Sequence, residues 1–212
     1  MLVLAACAAA PVPSSADTVT IAALGDSLTA GYGLPPAQGF VPQMEAWLEA
    51  RGHDVDIVNA GVSGDTTQGG LSRLAWTLTD EVDAVSVALG GNDFLRGIDP
   101  ATSRANLDAI LSGIDEAGLP ALLIGLLASP NYGPEWTARF DGMYPTLAKE
   151  HGTIYAPHFF GALIQAGGGG SPRQLKPWMQ ADGIHPNADG VRLIVEALGP
   201  YYEELIARAE AN

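Results

Sequence analysis

Five short apolar runs alternate with segments of helical period, and that alternation leaves few folds open to the chain. Thr18–Leu24, Val55–Ala60, Ala84–Leu89, Ala121–Leu127 and Thr153–Ala156 read as strands, largely apolar as in a sheet covered on both faces. Helical spacing of apolar residues follows at Phe40–Arg51, from Asp65 or Thr66 to about Leu78, at Ser103–Ala117, at Glu135–His151 and at Ala188–Ala209. Gly142 with Pro145, and Gly199 with Pro200, are expected to break or kink the last two. Strands separated by helices of this length require a parallel sheet with right-handed crossovers. The expected fold is an α/β three-layer sandwich around a flavodoxin-like, five-stranded parallel sheet.

The chain has 212 residues, 47% hydrophobic and 16% charged, which fits one domain with a sizeable core. Residues 17–212 are assigned to that domain. Residues 1–16 are set apart as a signal or lipoprotein segment and linker: a short run of small apolar residues, then Pro11-Val-Pro-Ser-Ser-Ala16. Ser14-Ser-Ala16 has the small-x-small form of a cleavage site, while Leu4-Ala-Ala-Cys7 resembles a bacterial lipobox in which Cys7 would carry lipid. Export to the periplasm or medium is expected, with membrane anchoring through Cys7 if it is lipidated. A single cysteine excludes an internal disulfide. A formal charge of −14 argues against nucleic acid as a partner, because the long-range field repels it.

In an open α/β sheet, ligands bind beyond the carboxyl ends of the strands, and four polar segments fall there or close that edge. They are Gly25-Asp-Ser-Leu28, Asn59-Ala-Gly-Val-Ser-Gly-Asp65, Gly90-Gly-Asn-Asp93 and Asp182-Gly-Ile-His-Pro186. Ser27 is the candidate nucleophile; alone, a serine at a strand-to-helix junction more often caps the helix. Asp182 and His185 are three residues apart across a glycine, so a turn can fold the carboxylate onto Nδ1 and leave Nε2 to take the serine proton. Gly61 and Asn92 follow the second and third strands. With the Ser27 N–H they would supply three donors for a developing oxyanion. His158 is the rival base, and His53 and His151 read as solvated residues at helix ends.

These four segments, in this order, resemble the blocks of the SGNH (GDSL) hydrolase family. Leu24-Gly-Asp-Ser-Leu-Thr-Ala-Gly-Tyr32, Leu89-Gly-Gly-Asn-Asp93, Asn131-Tyr-Gly133 and Trp178-Met-Gln-Ala-Asp-Gly-Ile-His-Pro-Asn187 are similar to its thioesterase I, lysophospholipase L1 and arylesterase branch. The resemblance implies a catalytic set of Ser27, Asp182 and His185, an oxyanion hole from Ser27, Gly61 and Asn92, and no metal or cofactor. It implies a serine esterase acting on aryl or acyl esters, with lysophospholipids and acyl thioesters as further small-molecule or lipid substrates; a monomer is expected. Phe94, Leu95, Tyr132 and Ile184 are candidate acyl contacts. Pro157–Asn187 reads as mostly irregular, and its Gly-rich stretch Phe160–Lys176 as a candidate mobile loop over the site. A carbohydrate O-acetyl esterase on the same scaffold is the alternative, and a non-catalytic envelope binding protein the remote one.

Overall fold

The computed structural model describes residues 18–212; the expectations for Cys7 and the leader fall outside them. Five strands, β1 (Val19–Gly25), β2 (Val55–Gly61), β3 (Ala84–Ala88), β4 (Ala121–Ile124) and β5 (Ile154–Ala156), form one parallel sheet in the order β2-β1-β3-β4-β5. The helices flanking it are α1 (Ser27–Ala30), α2 (Phe40–Glu49), α3 (Thr67–Ser72), α4 (Leu74–Thr77), α5 (Gly91–Leu95), α6 (Pro100–Glu116), α7 (Pro134–His151), α8 (Gly161–Gly167), α9 (Pro172–Leu175) and α10 (Ala188–Glu210). The β1-to-β2 crossover runs one way along the sheet and the later ones run the other way. Right-handed crossovers therefore put α2 on one face and α3, α6 and α7 on the opposite face. The long α10 returns to pack on α2 and α8, closing the first layer, while α6 packs against α3 and α7 in the second.

Burial explains the residue pattern. Ile21, Leu24, Val85, Val87, Leu122 and Leu123 of the central strands are wholly buried, as two-sided coverage demands. The edge strand β2 alternates instead, burying Val55 and Ile57 while Asp56 and Val58 face out. The direction reversal lies between β1 and β3, so the turns after those two strands flank a crevice. Ser27 follows β1 and Asn92 follows β3.

Several elements depart from the sequence pattern. The helix after β2 is split at Arg73, whose side chain turns back to the sheet edge. By contrast, α7 and α10 run through Pro145 and Pro200 without ending. Phe140, Met143, Tyr144 and Leu147 of α7 are buried, and such packing outweighs the roughly 3 kcal/mol that an interior proline costs. Gly199 lets α10 approach the Trp47 ring, where a Cβ would stand 2.3 Å from it. Pro157–Asn187 is more ordered than its composition suggests. It holds α8, closed by Gly168 at φ 66°, and α9, opened by a Ser171/Gln174 capping box. His151 is no solvated helix end: its ring is held between Asp108 (2.8 Å) and Asp115 (2.6 Å) and joins α7 to α6.

Candidate active site

The carboxyl edge of β1 delivers Ser27 as the first residue of α1, where an N–H has no helical acceptor. Asp26 caps that helix by accepting the Leu28 N–H at 3.0 Å. His185 arrives from the far end of the chain, in the turn before α10. Its Nε2 lies 2.8 Å from Ser27 Oγ, and its Nδ1 lies 2.7 Å from Asp182 Oδ2. Gly183, at φ 68°, permits the tight return. The other carboxylate oxygen of Asp182 accepts the N–H groups of Ile184 (2.9 Å) and His185 (3.1 Å). Slight burial opposes ionisation, but the bonds from the His185 ring and the two N–H groups hold the Asp182 carboxyl down at about 2.

This turn is latched to the rest of the domain. Met179 and Pro186 form an antiparallel bridge, and the Gln180 N–H donates to the His185 carbonyl at 2.8 Å. Gln180 Nε2 donates to the carbonyls of Tyr32 (2.8 Å) and Pro186 (3.0 Å). The Tyr32 ring packs on the imidazole with centroids 4.7 Å apart. The imidazole is thereby held in plane, with Nδ1 directed at Asp182. His158, the rival base, is not among the residues lining the cleft; burial lowers it to about 4, and its Nδ1 accepts the Phe160 N–H.

Of the three residues expected to give oxyanion donors, Ser27 and Asn92 line the cleft and Gly61 does not. Asn92 lies in α5, with Nδ2 donating to Asp26 Oδ2 at 3.2 Å. Burial pushes the Asp26 carboxyl up to about 6, against the bonds from Leu28 N–H and Asn92. Gly61 does not face the cleft. It is the last residue of β2, paired with Gly25, and its N–H already donates to Asn59 Oδ1 at 3.0 Å. Its missing Cβ makes room for α1, since a carbon there would be 2.4 Å from the Ala30 nitrogen. Gly64 lines the cleft instead. It occupies the third place of a turn closed by Asp65 N–H to the Val62 carbonyl, at φ 87°, a conformation that favours glycine. The sequence signal was present in Ser63-Gly-Asp65, but the earlier glycine stood nearer the expected strand end.

The cleft encloses about 490 Å³. Ser27, His185, Asn92 and Gly64 line it, and Leu28, Phe94, Leu95, Leu126, Leu127 and Ile184 are among its apolar walls. Of the candidate acyl contacts, Phe94, Leu95 and Ile184 line the cleft. Tyr132 is outside the lining: it packs against Phe94, edge to face at 5.9 Å, and against Trp136 at a tilt, with centroids 4.8 Å apart. Tyr32, Phe140 and Phe160 join the lining without having been anticipated. Among the described residues, no lysine or arginine lines it. Such a site can hold an apolar chain against an activated hydroxyl, with neutral donors ready for a negative oxygen.

Residues 23–193 match the model of the GDSL-like Lipase/Acylhydrolase family. The chain is 37% identical to "Esterase TesA" of Pseudomonas aeruginosa over 188 residues, covering 88% of this chain and 89% of the relative. It is 36% identical to "Thioesterase 1/protease 1/lysophospholipase L1" of Escherichia coli K12 over 195 residues, covering 91% and 86% respectively. Among solved structures it is similar to AlinE4, described as an SGNH-hydrolase family esterase, with 37% identity and a TM-score of 0.72. That match spans 89% of this chain and 96% of the other.

Proposed function

Because the chain belongs to the GDSL-like lipase/acylhydrolase family and is a serine ester hydrolase, we propose that Ser27, His185 and Asp182 carry its chemistry. The observation that supports this is the continuous relay Asp182 Oδ2, His185 Nδ1, His185 Nε2, Ser27 Oγ, at 2.7 and 2.8 Å, opening on an apolar cleft. In the proposed reaction Ser27 Oγ attacks the ester carbonyl carbon as Nε2 takes its proton. The ionised Asp182 stabilises the imidazolium. The carbonyl oxygen becomes an oxyanion held by the N–H groups of Ser27 and Gly64 and by Asn92 Nδ2. Collapse expels the alcohol, which receives the proton from Nε2, and water repeats the sequence on the acyl-serine.

Aryl and acyl esters are the proposed substrates, with lysophospholipids and acyl thioesters as further candidates. The relatives' names include both esterase and thioesterase activities. Absence of a cationic side chain from the cleft wall, together with a charge of −14, favours neutral esters over coenzyme A thioesters. The apolar walls favour an acyl chain over a sugar acetate. Residues 1–16 are proposed to direct export, and residues 17–212 to form one catalytic domain.

Fluorophosphonate labelling followed by peptide mass spectrometry tests the mechanism, with Ser27 as the expected site. Label on another residue, or full esterase activity in Ser27→Ala, refutes it. Unchanged activity in His185→Ala would move the base elsewhere.

A further inference from the structure

Three separate segments carry the proposed oxyanion donors, and polar ties join them in pairs. Asn92 Nδ2 reaches Asp26, next to Ser27, at 3.2 Å. Arg96, at the end of the helix that carries Asn92, donates from Nη2 to the Gly64 carbonyl at 2.7 Å. Arg73 completes the circuit. Its Nη2 donates to the Gly25 carbonyl at 2.7 Å, its Nη1 to the Ala60 carbonyl at 2.6 Å, and its Nε to Asp65 Oδ2 at 2.6 Å. Gly25 is two residues before Ser27 and Asp65 immediately follows Gly64. One planar guanidinium thus spans the ends of β1 and β2 and the turn between β2 and α3.

We propose that Arg73 and Arg96 are positioning residues for ester hydrolysis: through Asp65 and the Gly64 carbonyl they hold the Gly64 N–H in register with Ser27 and Asn92. This rests on the oxyanion role given above to Gly64. The turn's own backbone bond, Asp65 N–H to Val62, fixes its shape, and the Val62 N–H donates to the Gly25 carbonyl at 3.1 Å, tying the turn's first residue to the end of β1. The two arginines tie its third and fourth residues, Gly64 and Asp65. A donor contributes only when aimed where the charge develops, and losing one outright typically lowers kcat by about 10² to 10³. Lysine cannot replace Arg73, since its compact ammonium cannot reach three divergent acceptors in one plane. Arg73 is mostly buried, with 20% of its side chain exposed, so the bonds are poorly screened. Neither arginine touches the cleft, and neither is given a role in binding substrate.

The test uses three variants of the full chain. Asp65→Ala cuts the tie to the turn while leaving Arg73 bonded to both strand ends, and Arg96→Ala cuts the second tie at an exposed position. Arg73→Lys removes the span itself, and if it fails to fold the other two still decide. Each folded variant is expected to lose at least about tenfold in kcat, with KM moving by less than about threefold, because the effect lies on the transition state. Phosphonate inactivation of Ser27, which passes through a similarly charged oxygen, should slow in parallel, and thermal unfolding of Arg96→Ala should be little changed. Undiminished kcat in both Asp65→Ala and Arg96→Ala overturns the proposal, as does a rise in KM at constant kcat. Retained activity in Ser27→Ala would instead overturn the underlying mechanism, so the two failures are told apart.

Discussion

Asp26→Asn is expected to stabilise the protein at pH 8 while impairing catalysis. Asp26 is 2% exposed and burial lifts its carboxyl from 3.8 to about 6. The folded state thus holds this proton more tightly than the unfolded chain, so protonation favours folding. The penalty for burying the carboxylate is absent below pH 3.8, grows as pH rises, and is complete above about 6. The difference, 6 − 3.8 = 2.2 units, corresponds to about 3 kcal/mol at about 1.4 kcal/mol per unit. An asparagine keeps the cap on Leu28 but presents an amide to the Asn92 amide, and rearranging that bond costs about 1 kcal/mol. A net gain of about 2 kcal/mol raises Tm by roughly 4–8 °C in a domain of this size. At pH 4 little or none of it should remain. Thermal unfolding of both proteins between pH 4 and 8 reads this directly, since every other titrating group is shared. A Tm difference independent of pH, or a loss at pH 8, refutes the argument. Ester hydrolysis measured alongside should fall, because an ionised Asp26 only accepts and so forces the Asn92 NH2 toward it, with the amide's second N–H left for substrate.

The His151 clamp gives a pH dependence of opposite sense. Burial lowers this imidazole, but the bonds to Asp108 and Asp115 prevail and raise it, so its contribution is present below the ordinary histidine value and fades as pH rises through the elevated one. His151→Gln should therefore destabilise at pH of about 5.5 and converge on the parent toward pH of about 9, as read by urea unfolding. Gly90→Ala places a methyl 2.2 Å from Tyr144 Oη at φ 121° and disturbs that hydroxyl's bond to the Leu89 carbonyl. A loss of more than about 2 kcal/mol in chemical unfolding is expected. Leu127→Ser and Ile184→Ser, at half-exposed cleft walls, should raise KM for longer acyl esters by about fivefold while leaving acetyl esters unaffected.

What the sequence revealed was local chemistry. The pairing of Asp182 with His185 follows from three-residue spacing and a glycine, and the Ser27 position from the abrupt end of an apolar run. Longer-range packing was not legible. Strand β2 extends one residue past its apolar run because Gly61 pairs with Gly25, and that shifts the cleft-facing glycine to Gly64. Tyr132 looked like a wall residue, yet it packs against Phe94 and Trp136 outside the cleft lining. The glycine-rich segment after β5 forms helices because Gln174 returns to Gly168 and Ser171, pairings that composition cannot report. Proline inside α7 and α10 was tolerated for the same reason, burial against partners distant in the chain.

The proposed nucleophile and base lie 158 residues apart, after the first strand and in the last turn. Every donor proposed for the oxyanion belongs to the first half of the chain, whereas the relay ends in a short segment latched on by Gln180 and the Met179–Pro186 bridge. A nascent chain therefore cannot become active until nearly all of it has been synthesised. The same division places the proposed proton-handling residues on Lys176–Asn187, separate in sequence from the turns after β1, β2 and β3 that carry the proposed oxyanion donors, so a substitution in that segment can change proton transfer while leaving those donors in place.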